Sequence, residues 1–590
     1  MNDFRFSPRP NRASEIQWMP WGEDAFERAR KEDKPILLSI SAVWCHWCHV
    51  MDETAYSDAS VIAKINEKFV PVRVDNDRRP DVNARYNMGG WPTTAFLSPD
   101  GGTLTGATYL PAEQMRRALD EIATFYRDNK GAIAERSLEL RSKRATYRPS
   151  SRDDLRESMV VRLVEEIGES FDEVYGGFGD SPKFPQPDVH EFLLSEWRLT
   201  GEQRLYEIVA KTMLGMSRGG TYDHVEGGFF RYSTTRDWSV PHFEKMTEDH
   251  AGLLRVLAQL VLFGSAPEFR KTLTSAVSYV RTVLRDPQTG LFAGSQDADE
   301  EYYELPLEER RRHGEPYVDR TSYTNWTCGL ASGLLWASRA LDDDAVLAEA
   351  LQCLDRVHDA LLDGDGLAFH FVVPGGTPQI RGLLTDQVAY ARALLDAHEI
   401  AGEARFLQRA SALADRVVTR FSAEDGGFYD RIAGADALGR LEIPDRPIGD
   451  NGSFAETLLR LAALTGDSRY RDTAERALAL FARTYAAAGP FASPYARALR
   501  RYLSPELSVR IAGGAEATDD FREAALRLPS PFVTIRTGTA EALGLPPARE
   551  PAAYVCVGTV CGPPVTGAAG LRASYDAVAS SETPAGVPRT

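Results

Sequence analysis

Six cysteines in 590 residues are too few to staple a chain of this size, which excludes the disulfide framework that holds small secreted domains together. Basic runs are missing too: 68 Lys and Arg stand against 85 Asp and Glu, a formal net charge of −17. Nucleic-acid and anionic-membrane partners both need clustered cations, so neither is expected. No apolar run reaches the ~18–20 residues of a membrane helix. The polar opening, with Pro8 and Pro10, lacks the apolar stretch of a secretory signal. A cytoplasmic, reducing location is the expectation from these absences. What is present suits folded protein, 43% hydrophobic and 26% charged. The length exceeds one hydrophobic core, so several domains are expected.

Trp21 to Asp33 reads as a short amphipathic helix, and Ile36 to Ile40 as a buried strand. The strand runs into Ser41-Ala-Val-Trp-Cys-His-Trp-Cys-His49. Helical sequence follows to about Lys68, then a second strand from Phe69 to Val74. This β-α-β unit puts Cys45 and Cys48 where a strand hands over to a helix. Unpaired N–H groups and the positive dipole end there favour a thiolate on Cys45. Cys48, on the same helical face, can resolve a mixed disulfide. A CxxC is also half of many zinc sites, but its place between strand and helix favours redox chemistry. His46 and His49 either tune the dithiol, join it as metal ligands, or pack. Pairs 45/48 and 46/49 lie on stripes about 100° apart, which hinders tetrahedral closure; no metal and no cofactor is expected. Gly89-Gly-Trp-Pro-Thr-Thr94 precedes a further strand, and the Trp91–Pro92 bond is expected to be cis, with a trans turn proline as the alternative. Pro92 and Trp91 join the cysteines as candidate site residues.

Trp44 to Met51, with WGEDAFERARKEDKPILLSI upstream and RVDNDRRPDV and GGWPTTAFLSPDG downstream, resembles the thioredoxin-domain family named after spermatogenesis-associated protein 20. The resemblance continues through GGFGDSPKFPQPD, YDHVEGGFFRYSTTRDWSVPHFEKM and SQDADEE. It implies a thioredoxin-like α/β domain fused to an all-α (α/α)6 barrel of the six-hairpin glycosidase type. Phe230 and His250 stand where the family usually has histidine and asparagine.

From Asp153 onward a repeat recurs every sixty-odd residues. It pairs short turns (Leu199-Thr-Gly-Glu, Ile400-Ala-Gly-Glu, Leu464-Thr-Gly-Asp) with glycine-aromatic loops (Tyr175-Gly-Gly-Phe, Glu226-Gly-Gly-Phe, Asp425-Gly-Gly-Phe). Six helix pairs follow, with first helices near Asp153, Glu202, Pro267, Asp343, Glu403 and Asp467. Their partners start near Pro187, Glu244, Tyr323, Thr385, Gly449 and Phe491. A closed barrel is expected; an open superhelix is the alternative. The expected domains are 1–130 thioredoxin-like, 131–152 a linker helix, 153–503 the barrel, 504–577 a small α/β appendage and 578–590 a disordered tail. Links within pairs are long, so they gather at one mouth, where binding residues belong. Candidates there are Asp180, Lys183, Tyr222, Asp223, Glu226, Arg231, Tyr232, Trp238, His242, Glu244, Asp249, Asp297, Asp299, Trp326, Asp386, Tyr390, Asp450 and Asn451. Aromatics stack on sugar-like polyols, and carboxylates bind them or move protons; His242 with His250 is a possible acid–base couple. Lys183 in SPKFPQP and Lys245 in VPHFEKM suit loop locking by ion pairing. Cys328 and Cys353 read as buried fillers, while Cys556 and Cys561 either bridge or bind metal. The leading expectation is a thiol–disulfide oxidoreductase whose barrel binds either the client, a protein or small-molecule disulfide, or a small ligand. Its rival is a sugar epimerase or hydrolase with a saccharide-like ligand in the barrel mouth; a non-enzymatic binding scaffold is the third reading.

Overall fold

A computed structural model describes residues 4–144, 155–264, 266–434, 436–514, 518–546, 551–558 and 560–581. The chain forms two compact units. One comprises Met1–Arg148 with Gln296–Asp299 and Tyr429–Asp445, and the other the remainder.

The first unit opens with α1 (Glu23–Glu32) and β1 (Ile36–Ser41), followed by α2 (His46–Glu53), α3 (Ala59–Lys68) and β2 (Val70–Asp75). Then come α4 (Pro80–Tyr86), β3 (Thr93–Leu97), β4 (Thr103–Ala107) and α5 (Ala112–Arg144). The sheet order is β2-β1-β3-β4. The central β1 is buried at every position, so its sequence is a solid apolar run rather than an alternation. It pairs parallel with β2 and antiparallel with β3, a thioredoxin-like arrangement. Leu37 and Phe96 pack on one face with Tyr56, Ile65 and Leu119, while Leu38 and Ala95 pack on the other with Phe26 and Tyr86. Leu438 and Leu441 complete the second cluster. They belong to Tyr429–Asp445, a segment the sequence assigned to the barrel. Gly101 and Gly439 meet backbone to backbone at φ 78° and 58°, where a Cβ on Gly101 would stand 2.4 Å from the Gly439 Cα. The Tyr86 hydroxyl donates to Gly101 O at 2.9 Å and accepts the Arg440 N–H at 2.8 Å. The expected linker helix is the end of α5 as far as Arg144; residues 145–152 of it lie outside the described residues.

The second unit is built from helices in two shells. The outer ones are α6 (Glu157–Glu169), α8 (Gln203–Arg218), α10 (Pro267–Tyr279), α14 (Asp344–Leu361), α16 (Ala404–Phe421) and α18 (Ser468–Phe481). The inner ones are α7 (Pro187–Thr200), α9 (Thr247–Phe263), α13 (Thr324–Leu341), α15 (Leu384–Ala401), α17 (Ile448–Thr465) and α19 (Ser493–Leu503). Short α11 (Glu300–Glu304) and α12 (Leu307–His313) lie in the longest link. Each inner helix packs on the next, and α19 returns to α7, so the ring closes as an (α/α)6 barrel. An outer helix such as α16 buries a single stripe, Phe406, Ala410, Leu413, Ala414, Val417 and Phe421, the spacing that burial on one side requires. Inner helices are buried almost all round, as along Leu253–Ala258 of α9. The recurrent Thr-Gly and Ala-Gly turns are helix ends: Gly201, Gly402 and Gly466 cap α7, α15 and α17 in the left-handed conformation.

After α19 a four-stranded sheet runs in the order Val533–Gly538, Leu507–Ala512, Ala552–Val557, Val560–Cys561, the first pair parallel. Helices α20 (Asp519–Leu526) and α21 (Leu571–Ser581) accompany it. Cys556 and Cys561, paired across strands, form a disulfide. The expected disordered tail is corrected in part, since α21 continues to Ser581; residues 582–590 lie outside the described residues. Among the described residues no helix is long and apolar enough to cross a membrane.

Candidate functional site

Cys45 is the N-cap of α2, and its Sγ accepts the Cys48 N–H at 3.2 Å. An N-cap places the sulfur at the positive end of the helix, where a thiolate is favoured. The two cysteines are joined as a disulfide. Antiparallel register sets Ile40 opposite Thr93, so β1 ends and β3 begins at one edge of the sheet. The loops bearing Cys45 and Pro92 both leave from that edge. The Trp91–Pro92 peptide is cis. The Trp44 ring meets the Trp91 ring edge-on at 5.6 Å, and its indole N–H donates to Asp77 Oδ2 at 2.7 Å. Cys45 is 4% and Cys48 2% exposed, with Cys45 Sγ turned onto its partner and the helix N–H. The exposed group of the motif is Trp47, at 51%, leaning on Tyr109. Burial pushes the His49 pKa down against the weaker pull of Asp52. Beneath α2, Arg73 and Asp52 form a buried two-pronged ion pair at 2.8 and 2.9 Å.

In the barrel the glycine-aromatic loops fold alike. Bridges join Phe171 to Phe178, Tyr222 to Phe229, Arg285 to Phe292, Leu362 to Ala368 and Ser422 to Phe428. Asp172, Asp223, Asp286 and Asp363 each accept backbone N–H groups of their own turn. The following inner helix grips the loop: His250 Nε2 accepts the Phe229 N–H, Gln387 Oε1 that of Ala368, and Asn451 Oδ1 that of Phe428, at 2.9, 2.8 and 2.7 Å. Lys183 ties Asp172 to Gly176 O, and Lys245 ties Asp223 to Gly227 O.

Where the inner helices begin, their first turns enclose a cavity of about 320 Å³. Its carboxylates are Asp188 on α7, Glu248 and Asp249 on α9 and Asp450 on α17. Asn325 and Trp326 of α13 face it, and Arg255 and Arg392 close its inner end. The helix N-termini temper the crowding of negative charge. Desolvation by the cavity walls nevertheless raises the pKa of Asp188, Glu248 and Asp249, although the first two remain exposed and the third half-buried. Asp249, with Glu248 beside it, is pushed up to about 8. The Arg231 charge opposes the shift at Glu248 and Asp249. The cavity therefore sets a carboxyl group of raised pKa, Asp249, beside other carboxyl groups and an indole face. That set can hydrogen-bond a polyol and exchange protons with it.

Residues 9–144 match the family model Thioredox_DsbH, described as protein of unknown function, DUF255. Spermatogenesis-associated protein 20 of Rattus norvegicus is 36% identical over 307 residues, which are 48% of this chain and 39% of that protein. The chain thus spans about two fifths of the length of that curated relative. The thiol:disulfide interchange protein DsbD of Campylobacter jejuni strain RM1221 is 26% identical over 102 residues, 16% of this chain and 18% of that protein. Among solved structures, a cellobiose 2-epimerase from Spirochaeta thermophila DSM 6192 overlays with a TM-score of 0.46 at 14% identity, over 58% of this chain and 96% of the other. The barrel assignment rests on the closed ring of inner helices.

Of the residues expected at the barrel mouth, Asp249, Trp326 and Asp450 line the cavity. Several others are corrected to structural roles by their burial. Lys183 is fully buried on Asp172, and Asp223 is held by Lys245 and Arg310. Trp238 has 0% exposure and fills the space over Gly177 and Gly215. Asp386 is buried on His370 at 3.0 Å, and burial, opposed by His370, raises its pKa. Asn451 is a loop clamp, and so is His250. Both His250 ring nitrogens are engaged, Nδ1 donating to Met246 O at 2.7 Å, and burial pushes its pKa down to about 4. His250 therefore cannot serve as the acid–base partner of His242. Tyr222 and Glu244 are buried, Glu244 bonded to His242. His242 stacks on Tyr232, which stacks on Phe184, and Arg231 lies over the Tyr232 ring. Asp297 and Asp299 group with the thioredoxin-like unit rather than with the barrel. Asp188, Glu248, Arg255 and Arg392 were missed. The repeat itself was the signal, because Asp188, Glu248, Asp249 and Asp450 sit at the second or third residue of the inner helices α7, α9 and α17.

Proposed function

We propose that the protein is a thiol–disulfide oxidoreductase. The observation that carries this reading is Cys45 as N-cap of α2, bonded to Cys48, with Pro92 leaving the same sheet edge. In the reduced state the Cys45 thiolate attacks one sulfur of a client disulfide, and the other client sulfur departs as a thiolate. Cys48 then attacks the mixed disulfide, releasing the second client thiolate and leaving Cys45–Cys48 oxidised. A dithiol reductant restores the pair by the same exchange in reverse. Pro92, which has no N–H of its own, and Trp91 form the backbone wall against which the client chain lies. The test is disulfide reduction driven by a dithiol donor. Cys45→Ser is expected to fall to the rate of the donor alone, and Cys48→Ser to accumulate the mixed disulfide. Full activity in Cys45→Ser would refute the assignment.

The raised pKa of Asp249 supports a second reading, in which the barrel acts on a saccharide-like ligand as epimerase or hydrolase, with Asp249 as general acid and Glu248 or Asp188 as base. Saccharide turnover that persists in the Cys45→Ser/Cys48→Ser double variant and vanishes in Asp249→Asn is its signature. Absence of turnover in the unaltered protein across a polyol panel would remove it.

A further inference from the structure

Further along the barrel axis lies a second cavity, of about 70 Å³. Arg255 and Arg392 line both cavities, so they form the partition between an acidic chamber at the helix N-termini and a chamber of opposite character. The second is walled by the later turns of the inner helices and by Ala525, Ser530, Val533 and Ile535 from the C-terminal segment. Six arginines and four carboxylates line it, which leaves two positive charges in excess.

The pairing shows where that excess resides. Glu191 is shared by Arg255, Arg392 and Arg497, the last two at 2.6 and 2.5 Å. Arg460 holds Asp396 and Glu399 at 2.7 and 2.6 Å, and Arg497 also reaches Glu456 at 2.9 Å. Arg501 stands 4.0 Å from Glu456. Arg198 donates to the carbonyls of Leu528, Pro529 and Ser530 at 3.0–3.1 Å, which offset its dipoles but not its charge. Burial pushes the pKa of Arg198 down to about 9 and that of Arg501 to about 10. The Arg497 Nε is buried without a partner among the described residues. Cations in excess of their carboxylates in a low-dielectric interior are costly, and a guanidinium fork matches the edge of a tetrahedral oxyanion.

We propose that this chamber binds a small doubly charged tetrahedral oxyanion, inorganic phosphate or sulfate, held by Arg198, Arg497 and Arg501. One water needs roughly 10–15 Å³ on this measure, so the space takes about five non-hydrogen atoms, the size of such an anion. The carbon body of a phosphoester does not fit.

Equilibrium dialysis of the whole protein against radiolabelled phosphate, at constant ionic strength, tests this. One phosphate per chain, displaced by sulfate but not by equal ionic strength of chloride, is expected. Arg501→Gln leaves no close carboxylate orphaned and should weaken binding at least about tenfold, with Arg501→Lys in between. Absence of saturable binding, displacement by chloride as readily as by sulfate, or an unchanged affinity in folded Arg501→Gln would overturn the proposal. If that variant fails to fold, the stoichiometry and the sulfate–chloride comparison on the unaltered protein decide it alone.

Discussion

Glu191→Gln removes the one carboxylate shared by Arg255, Arg392 and Arg497 while keeping its shape. Glu191 is 2% exposed. Burial alone would raise its pKa, but the three guanidinium groups outweigh burial and hold it well below the usual carboxylate range. Breaking one partner of a buried ion pair costs about 3–5 kcal/mol, because the remaining charge is left uncompensated. The barrel helices run from Glu157 to Leu503. At about 2.1 cal/mol/K per residue over roughly 350 residues, the unfolding entropy is about 0.7 kcal/mol/K. The expected fall in Tm is then about 4–7 °C, read by differential scanning calorimetry on the barrel transition. The pH course follows from the lowered pKa. The carboxylate's contribution is complete above its unfolded pKa of about 4.3 and is lost only as pH falls toward its lower folded value. The gap between the two proteins should therefore stay constant from pH 8 to 5 and narrow below about pH 4. A Tm within about 1 °C of the unaltered protein at pH 7 would refute the electrostatic reasoning.

Asp249→Asn should stabilise the barrel more at pH 8 than at pH 5. The folded pKa near 8 lies above the unfolded one, so the native carboxyl becomes a growing burden from about pH 4 to pH 8; denaturant melts at both pH values read the difference, and equal gains would contradict it. His250→Gln should be nearly silent in thermal melts, because Gln387 makes the equivalent bond elsewhere in the repeat. His250→Leu should cost about 1–3 kcal/mol by orphaning the Phe229 N–H and Met246 O. Lys183→Met should destabilise by about 1–3 kcal/mol, less than a fully orphaned charge because Arg236 still holds Asp172 at 2.7 and 3.0 Å, checked by urea titration.

The thioredoxin-like unit was readable because its central strand is buried on both faces and its cysteines fall at a strand-to-helix junction, both local signals. The barrel was readable from a repeat whose turns are helix C-caps and whose loops are Asx-stapled. Charge pairing across distant segments was not readable. Asp223 resembles a ligand group until Arg310, 87 residues on, is seen to hold it, and Asp386 until His370 does. Trp238 resembled a stacking platform because nothing local reveals that glycines 177 and 215 leave the space it fills. The segment Tyr429–Asp445 lies between barrel helices in sequence but packs with β1, and only the facing pair Gly101 and Gly439 hints at so close an approach. Asp188 and Glu248 are legible only by their place in the repeat, since a single carboxylate in a helix's first turn is also what the helix dipole favours.

The oxidoreductase reading turns on how reactive the Cys45 sulfur becomes once the disulfide is opened. Alkylation of the Cys48→Ser protein by iodoacetamide, followed at residue 45 across pH 5 to 10, measures this directly. A rate that titrates with a midpoint below the ~8.5 of an ordinary thiol is the predicted result, since the sulfur caps a helix. A residue 45 that stays unalkylated throughout, or that titrates at or above the ordinary value, would contradict the account.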